Sequence, residues 1–192
     1  MQDLDYSVTY LSNKNVGTAK LVICGKGVYT NSLTKTFTIR PETMASAVIT
    51  GCKAKYSYTG KQVKPLIQVV WNGKILRNNT DYTLLYKNNK KRGSAGIVVT
   101  GKGNYSGTLT ASFTIVRASV KKASVTGLKA VYARTGKAVK PKVTVKLGGK
   151  KLKKKRDYIL SYRKNKKKGT ALLYVKGVGN YSGTKKMKFK IR

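Results

Sequence analysis

From Asp81 onward the chain alternates, with Tyr82, Leu84 and Tyr86 on one face of an extended segment and Thr83, Leu85 and Lys87 on the other. A period of two is the mark of a half-buried β-strand. The same alternation returns at Tyr158, Leu160 and Tyr162. Further on, Ala95, Ile97 and Val99 correspond to Ala171, Leu173 and Val175, and each stretch closes on Phe-x-Ile, at Phe113 and Ile115 and at Phe189 and Ile191. No stretch has helical periodicity long enough to predict a helix.

These segments belong to a long repeat. The pairs Asp5-Tyr6, Asp81-Tyr82 and Asp157-Tyr158 lie 76 residues apart, and Tyr29, Tyr105 and Tyr181 keep that spacing. The period divides the chain into a partial copy over 1–39, which holds only the second half of the unit, and two complete copies over 40–115 and 116–192. The counterpart of 53–80 is missing ahead of Asp5, so the first copy is expected to expose an apolar face and open strand edges. The chain is accordingly expected to belong to a longer protein with upstream domains, or to have the missing strands supplied by another chain. Segments 40–50 and 116–126 lead from copy to copy without a Gly/Ser-rich spacer, which predicts closely coupled domains.

Within a complete copy the turn chemistry is dense. Short strands over 55–58 and 130–133 end at Thr59-Gly60 and Thr135-Gly136, and Pro65 and Pro141 precede strands over 66–71 and 142–147, as suits proline at a strand start. Asn72-Gly73 and Gly148-Gly149 then predict hairpins, because both pairs tolerate positive φ, and Leu76 and Leu152 mark the return strands. About seven short strands per copy predict tandem small antiparallel β-sandwiches of immunoglobulin-like type. A β-grasp-like mixed sheet is the alternative.

Charge is the most unusual feature of the composition. The chain carries 42 Lys and Arg against five acids and no histidine, a net charge of +37. Residues 1–51 contribute +2, 52–127 contribute +13 and 128–192 contribute +22. Two clusters dominate the third copy: Lys150, Lys151, Lys153, Lys154, Lys155 and Arg156 precede the strand at Tyr158, and Arg163, Lys164, Lys166, Lys167 and Lys168 follow it. At ~3.3 Å per residue that strand is roughly 20 Å long, so basic tips are expected at both ends of the domain. The second copy has a thinner version, Lys87, Lys90, Lys91 and Arg92 on one side and Arg77 on the other. A solvated face normally mixes signs. One so depleted of acids points to an anionic partner that offsets self-repulsion, and the preference for Lys over Arg suits diffuse attraction rather than bidentate reading.

Candidate chemistry is sparse. Without histidine, a His-based triad and a His metal site are excluded. Asp5, Asp81 and Asp157 are one structural position in three copies and read as turn acceptors for backbone N–H groups; Asp3 and Glu42 complete no carboxylate pair for hydrolysis. One recurrent acid per copy is also too few to promote a Lys–Asn or Lys–Asp isopeptide bond. The GKGNYSG and GVGNYSG stretches run into strand patterns rather than a helix, so their glycines read as turn residues and not as a phosphate loop. Tyr82, Tyr105, Tyr158 and Tyr181 read as packing residues with hydroxyls satisfied at the domain edge. Trp71, replaced by Leu147, is the one aromatic suited to ligand stacking. Cys24 alternates toward solvent and Cys52 toward a core slot, which favours two thiols over a disulfide. A non-catalytic protein without cofactor is expected, with no apolar run able to span a bilayer and no signal-peptide pattern at the N-terminus.

The order TGKxVKP, NGK or GGK, DYxLxY, G-[ST]-A, GxGNYSGT and FxI resembles the Ig-like repeats found in tandem near the C-termini of large secreted and surface proteins of Gram-positive anaerobic bacteria. It is also similar to bacterial surface repeats with a Y-[DT]-G signature. The match covers 52–192 and the half-unit present over 3–39. It implies an extracellular, cell-surface or wall-associated setting, and it is specific for the repeat class rather than for an activity. The expected function is a stalk that attaches electrostatically to anionic wall polymers of teichoic-acid type, since no sorting motif or hydrophobic tail follows Phe189-Lys190-Ile191. Alternatives are an adhesin for acidic host glycans such as mucin and a strand-complemented assembly subunit. Nucleic acid would bind only non-specifically, by counterion release, since aromatics for base stacking are few.

Overall fold

The computed structural model describes all 192 residues, Met1–Arg192. The partial copy forms β1 (Tyr6–Leu11), β2 (Gly17–Gly25) and β3 (Ser32–Ile39). The second copy forms β4 (Glu42–Thr43), β5 (Val48–Thr50), β6 (Lys55–Ser57), β7 (Gln68–Trp71), β8 (Lys74–Leu76), β9 (Tyr82–Lys87), β10 (Gly93–Gly101), β11 (Tyr105–Ser106) and β12 (Thr108–Val116). The third repeats this order as β13 (Ala118–Ser119), β14 (Ser124–Thr126), β15 (Val131–Tyr132), β16 (Thr144–Leu147), β17 (Lys150–Lys151), β18 (Tyr158–Arg163), β19 (Gly169–Gly177), β20 (Tyr181–Ser182) and β21 (Thr184–Ile191). The fold is all-β in a repeating pattern. Its one helical element is a 3-10 turn, Val120–Lys122, capped by the Ser119 hydroxyl, and no helix is long and apolar enough to cross a membrane.

Packing cuts across the sequence copies. One compact unit comprises Met1–Cys52, Pro65–Lys87 and Gly96–Ser112; the other comprises Lys53–Lys64, Asn88–Ala95 and Phe113–Arg192.

In the first unit, β1, β2 and β3 form an antiparallel meander with Tyr6 opposite Gly25 and Gly17 opposite Ile39. A second antiparallel sheet has the order β5-β7-β8. Its hairpin turns on Asn72 and Gly73, at φ 46° and 75°, with Trp71 paired to Lys74, the primed-turn geometry that the Asn-Gly pair permits. The Trp71 ring meets Tyr105 edge-on at 5.4 Å, and its Nε1 donates to the Thr43 carbonyl at 3.0 Å. Apolar residues of the meander that have buried counterparts elsewhere lie open: Phe37 is 42 % exposed and Tyr29 58 %, against 2 % for Phe189 and 3 % for Tyr181. Residues 1–39 contain no counterpart of β5, β7 and β8, so nothing within that copy covers them. Cys24 is exposed and Cys52 half-buried, and no disulfide joins them.

In the second unit, β14-β16-β17 form an antiparallel sheet and β15-β21-β19-β18 a four-stranded one. The two layers share a core. Val145 and Leu152 from the first layer pack with Tyr158, Val175 and Tyr181, and a second cluster joins Ala171, Leu173, Phe189 and Ile191. Alternation explains the choice: along β18, Tyr158, Leu160 and Tyr162 turn inward while Ile159, Ser161 and Arg163 are exposed, which is the pleat applied to the sequence.

Strictly antiparallel sheets do not describe the chain. β15 runs parallel to β21, with Val131 opposite Lys190, and β13 parallel to β20; β6 likewise runs parallel to β12, and β4 to β11. Each parallel partner is a two- or three-residue strand returning from a distant part of the copy, so hairpin signals do not announce it. The sheets are therefore mixed, and no α-helix is present for a β-grasp arrangement.

Candidate functional site

β18 organises the basic surface of the third copy, and one carboxylate shapes the turn that leads into it. Asp157 is 4 % exposed, and its Oδ2 accepts from the Lys153 backbone N–H at 2.8 Å. Backbone bonds from Asp157 N–H to the Lys153 carbonyl and from Lys155 N–H to the Tyr158 carbonyl close the same turn. The Arg156 guanidinium donates twice to Asp157, at 2.9 and 2.8 Å. This pair holds the Asp157 carboxyl below the ordinary carboxylate range. Arg156 is thus engaged in structure, whereas Lys151, Lys153, Lys154 and Lys155 project as exposed side chains. Lys150 places its ammonium 5.8 Å from the centre of the Tyr58 ring.

The opposite end of β18 is anchored by an amide. Asn165 Nδ2 donates to the Val139 carbonyl at 2.9 Å, and the Val139 N–H returns a bond to the Asn165 carbonyl at 2.7 Å. Lys164, Lys166, Lys167 and Lys168 are exposed around this anchor, and Arg163 lies over the Tyr174 ring at 5.8 Å. In the second copy Asn89 makes the matching bond to Val63 at 3.0 Å and holds the loop of Lys90, Lys91 and Arg92. There Arg92 is turned to structural use, donating to the Gly179 carbonyl at 3.2 Å. Asp81 repeats the turn of Asp157, accepting from the Arg77 N–H at 2.8 Å, and Lys87 ends β9 exposed.

Two lysines of the third copy occupy backbone positions that resist them. Lys155 and Lys164 have φ of 71° and 55°. Their counterparts are Asn79 and Asn88 in the second copy, at 67° and 53°, and Asp3 and Ser12 in the first, at 69° and 54°. Left-handed backbone is tolerated by asparagine and aspartate and costs most other residues about 1–2 kcal/mol. One such lysine stands at each end of β18.

Between the two layers of this copy lies an open groove of about 750 Å³. Its walls carry Lys140 and Lys142 from the segment before β16 and Lys151, Lys153 and Lys154 from the segment after it. Its floor includes Val143, Leu160 and Tyr162, and the Tyr162 hydroxyl donates to the Pro141 carbonyl at 2.9 Å. Burial raises the Tyr158 and Tyr162 hydroxyls above the usual phenol value, so both rings stay neutral beside the lysines. No carboxylate lines the groove. Lys140 and Lys142 lie outside the two charge clusters that stand out in sequence; only the approach of their segment to Lys151 and Lys153 makes them part of one surface.

Tyr82, Tyr105, Tyr158 and Tyr181 are all buried, and Trp71 is engaged with Tyr105 and Thr43. No protein-family model, curated protein or solved structure matches the chain.

Proposed function

We propose that the chain is a non-catalytic tandem module of Ig-like type on a bacterial surface, and that its third copy attaches to anionic cell-wall polymers. The observation that carries this reading is the pair Lys155 and Lys164. At both ends of one strand a cation stands on left-handed backbone where the other copies have Asn, Asp or Ser. A local backbone rule broken without an evident structural gain marks a position that is either strained or functional, and here it motivates the functional reading. The remaining lysines extend the same field, with five acids in the whole chain to oppose 42 bases. Such a surface binds by releasing counterions, so its affinity falls as salt rises.

Cosedimentation of the full chain with Gram-positive walls tests the reading. Binding at low salt should be lost in high salt and on walls stripped of teichoic acid; retention on stripped walls would refute it. Mucin at matched ionic strength separates wall attachment from capture of acidic host glycans. A second reading, assembly through a donated strand, is favoured by the open Phe37 and Tyr29; a monodisperse monomer in sedimentation velocity would count against it.

A further inference from the structure

The lysines around β18 are not all equivalent. Those after the strand stand on an exposed loop, whereas Lys140, Lys142, Lys151, Lys153 and Lys154 ring a concave surface with an apolar floor. A polyanion held only by diffuse attraction needs no such floor. Val143 and Leu160 there touch both core clusters of the copy, so the floor is fixed by the packing of the two layers. The volume falls within the ~300–1,000 Å³ typical of small-ligand sites. Lys140 and Lys153 have basic counterparts in Lys64 and Arg77, but the second copy has Leu66, Ile75 and Asn78 where the third has Lys142, Lys151 and Lys154, so three of the five rim cations are particular to the third copy and the shared framework does not require them.

We infer that this groove is a binding site for an anionic oligosaccharide, a chain of sugar rings bearing carboxylate or sulfate groups. The flat, weakly polar faces of pyranose rings suit the floor of Val143, Leu160 and Tyr162. The ring-borne anions reach the lysines of the two walls. Lysine ammonium groups on flexible stems adapt to anions at varied spacing, where a bidentate arginine would demand one geometry. The inference rests on the attachment reading above, in which the basic surface gathers anionic polymers of the wall, and adds a site for acidic sugar rings that is distinct from the diffuse attraction of phosphate chains.

Calorimetric titration of the full chain with hexagalacturonate tests it, with linear polyphosphate of equal charge as the ringless control. The groove variant carries Lys142→Leu, Lys151→Ile and Lys154→Asn, the residues of the second copy. The tip variant carries Lys166→Gln, Lys167→Gln and Lys168→Gln and removes the same charge. The groove variant should lose about tenfold in hexagalacturonate affinity and the tip variant less than about threefold. Polyphosphate should weaken equally in both. In parallel, backbone amide resonances of Leu160 and Tyr162 should move with hexagalacturonate in the unaltered chain. Equal loss of hexagalacturonate binding in the two variants, or static Leu160 and Tyr162 resonances, would overturn the groove site and leave diffuse attachment standing. Binding of neither polyanion by the unaltered chain would overturn the attachment reading itself.

Discussion

Tyr58 meets Tyr181 edge to face, with ring centroids 5.9 Å apart and planes at 85°. Tyr58 belongs to the second copy in sequence, yet it packs against the core cluster that contains Val145, Leu152 and Tyr181 of the third. The second and third copies therefore share packed side chains within one compact unit. Tyr58→Ala should cost about 2 kcal/mol, from lost aromatic area and the edge contact, while Tyr58→Phe should stay within about 0.5 kcal/mol of the parent. Urea denaturation midpoints read both.

Lys155 and Lys164 predict a trade between stability and binding. Replacing each by asparagine, the residue of the second copy, should stabilise the protein by about 1 kcal/mol per site by relieving left-handed backbone. The same variants should bind polyanions more weakly. A thermal melt and a heparin-column elution salt, measured on one preparation, check both directions. Destabilised variants would show that the lysines are there for the fold.

Asp157 sets the acid limb of stability. Its folded-state pKa lies below the ordinary value because Arg156 and the Lys153 N–H stabilise the carboxylate. Its contribution is thus complete above the ordinary carboxylate range and is lost as pH falls through the lower folded value. With no histidine in the chain, stability should be nearly flat from about pH 5.5 to 8. Asp157→Asn should remove part of the acid-dependent loss and destabilise the protein by about 1–3 kcal/mol at neutral pH. Stability curves against pH for parent and variant test this.

Gly177 is required by a close approach of backbone. A Cβ there would stand 2.7 Å from the Ser182 nitrogen and 2.8 Å from its carbonyl oxygen, where β19 folds back on β20. Gly101 faces the same crowding from Ser106 and Tyr105. Gly177→Ala should cost about 1–3 kcal/mol. Gly148→Ala, in open space at φ 55°, should cost less than Gly177→Ala. Chemical denaturation ranks the two.

What sequence revealed follows the range of the interactions concerned. The hairpin at Asn72-Gly73 and the inward face of Tyr158, Leu160 and Tyr162 are local, set by turn chemistry and the pleat, and were legible. The parallel pairing of Val131 with Lys190 joins residues far apart in the copy, and no short-range pattern encodes it. The groove was hidden for the same reason: Lys142 and Lys151 become one surface only when their two segments flank β16. Charge clusters could be read directly, but not that Arg156 is bound to Asp157 while Lys155 and Lys164 occupy strained backbone.

On the proposed function, the lysines flanking β18 attach the chain to anionic polymers. The most direct test of that attachment is the affinity of the full chain for purified polyglycerol phosphate at about 50 to 500 mM salt. A variant carrying glutamine at Lys150, Lys151, Lys153, Lys154, Lys155, Lys164, Lys166, Lys167 and Lys168 is measured alongside. The parent should show log affinity falling linearly with log salt, and the variant a shallower slope with at least about tenfold weaker binding at physiological salt. Equal affinity and equal slope for the two proteins would contradict attachment through these lysines.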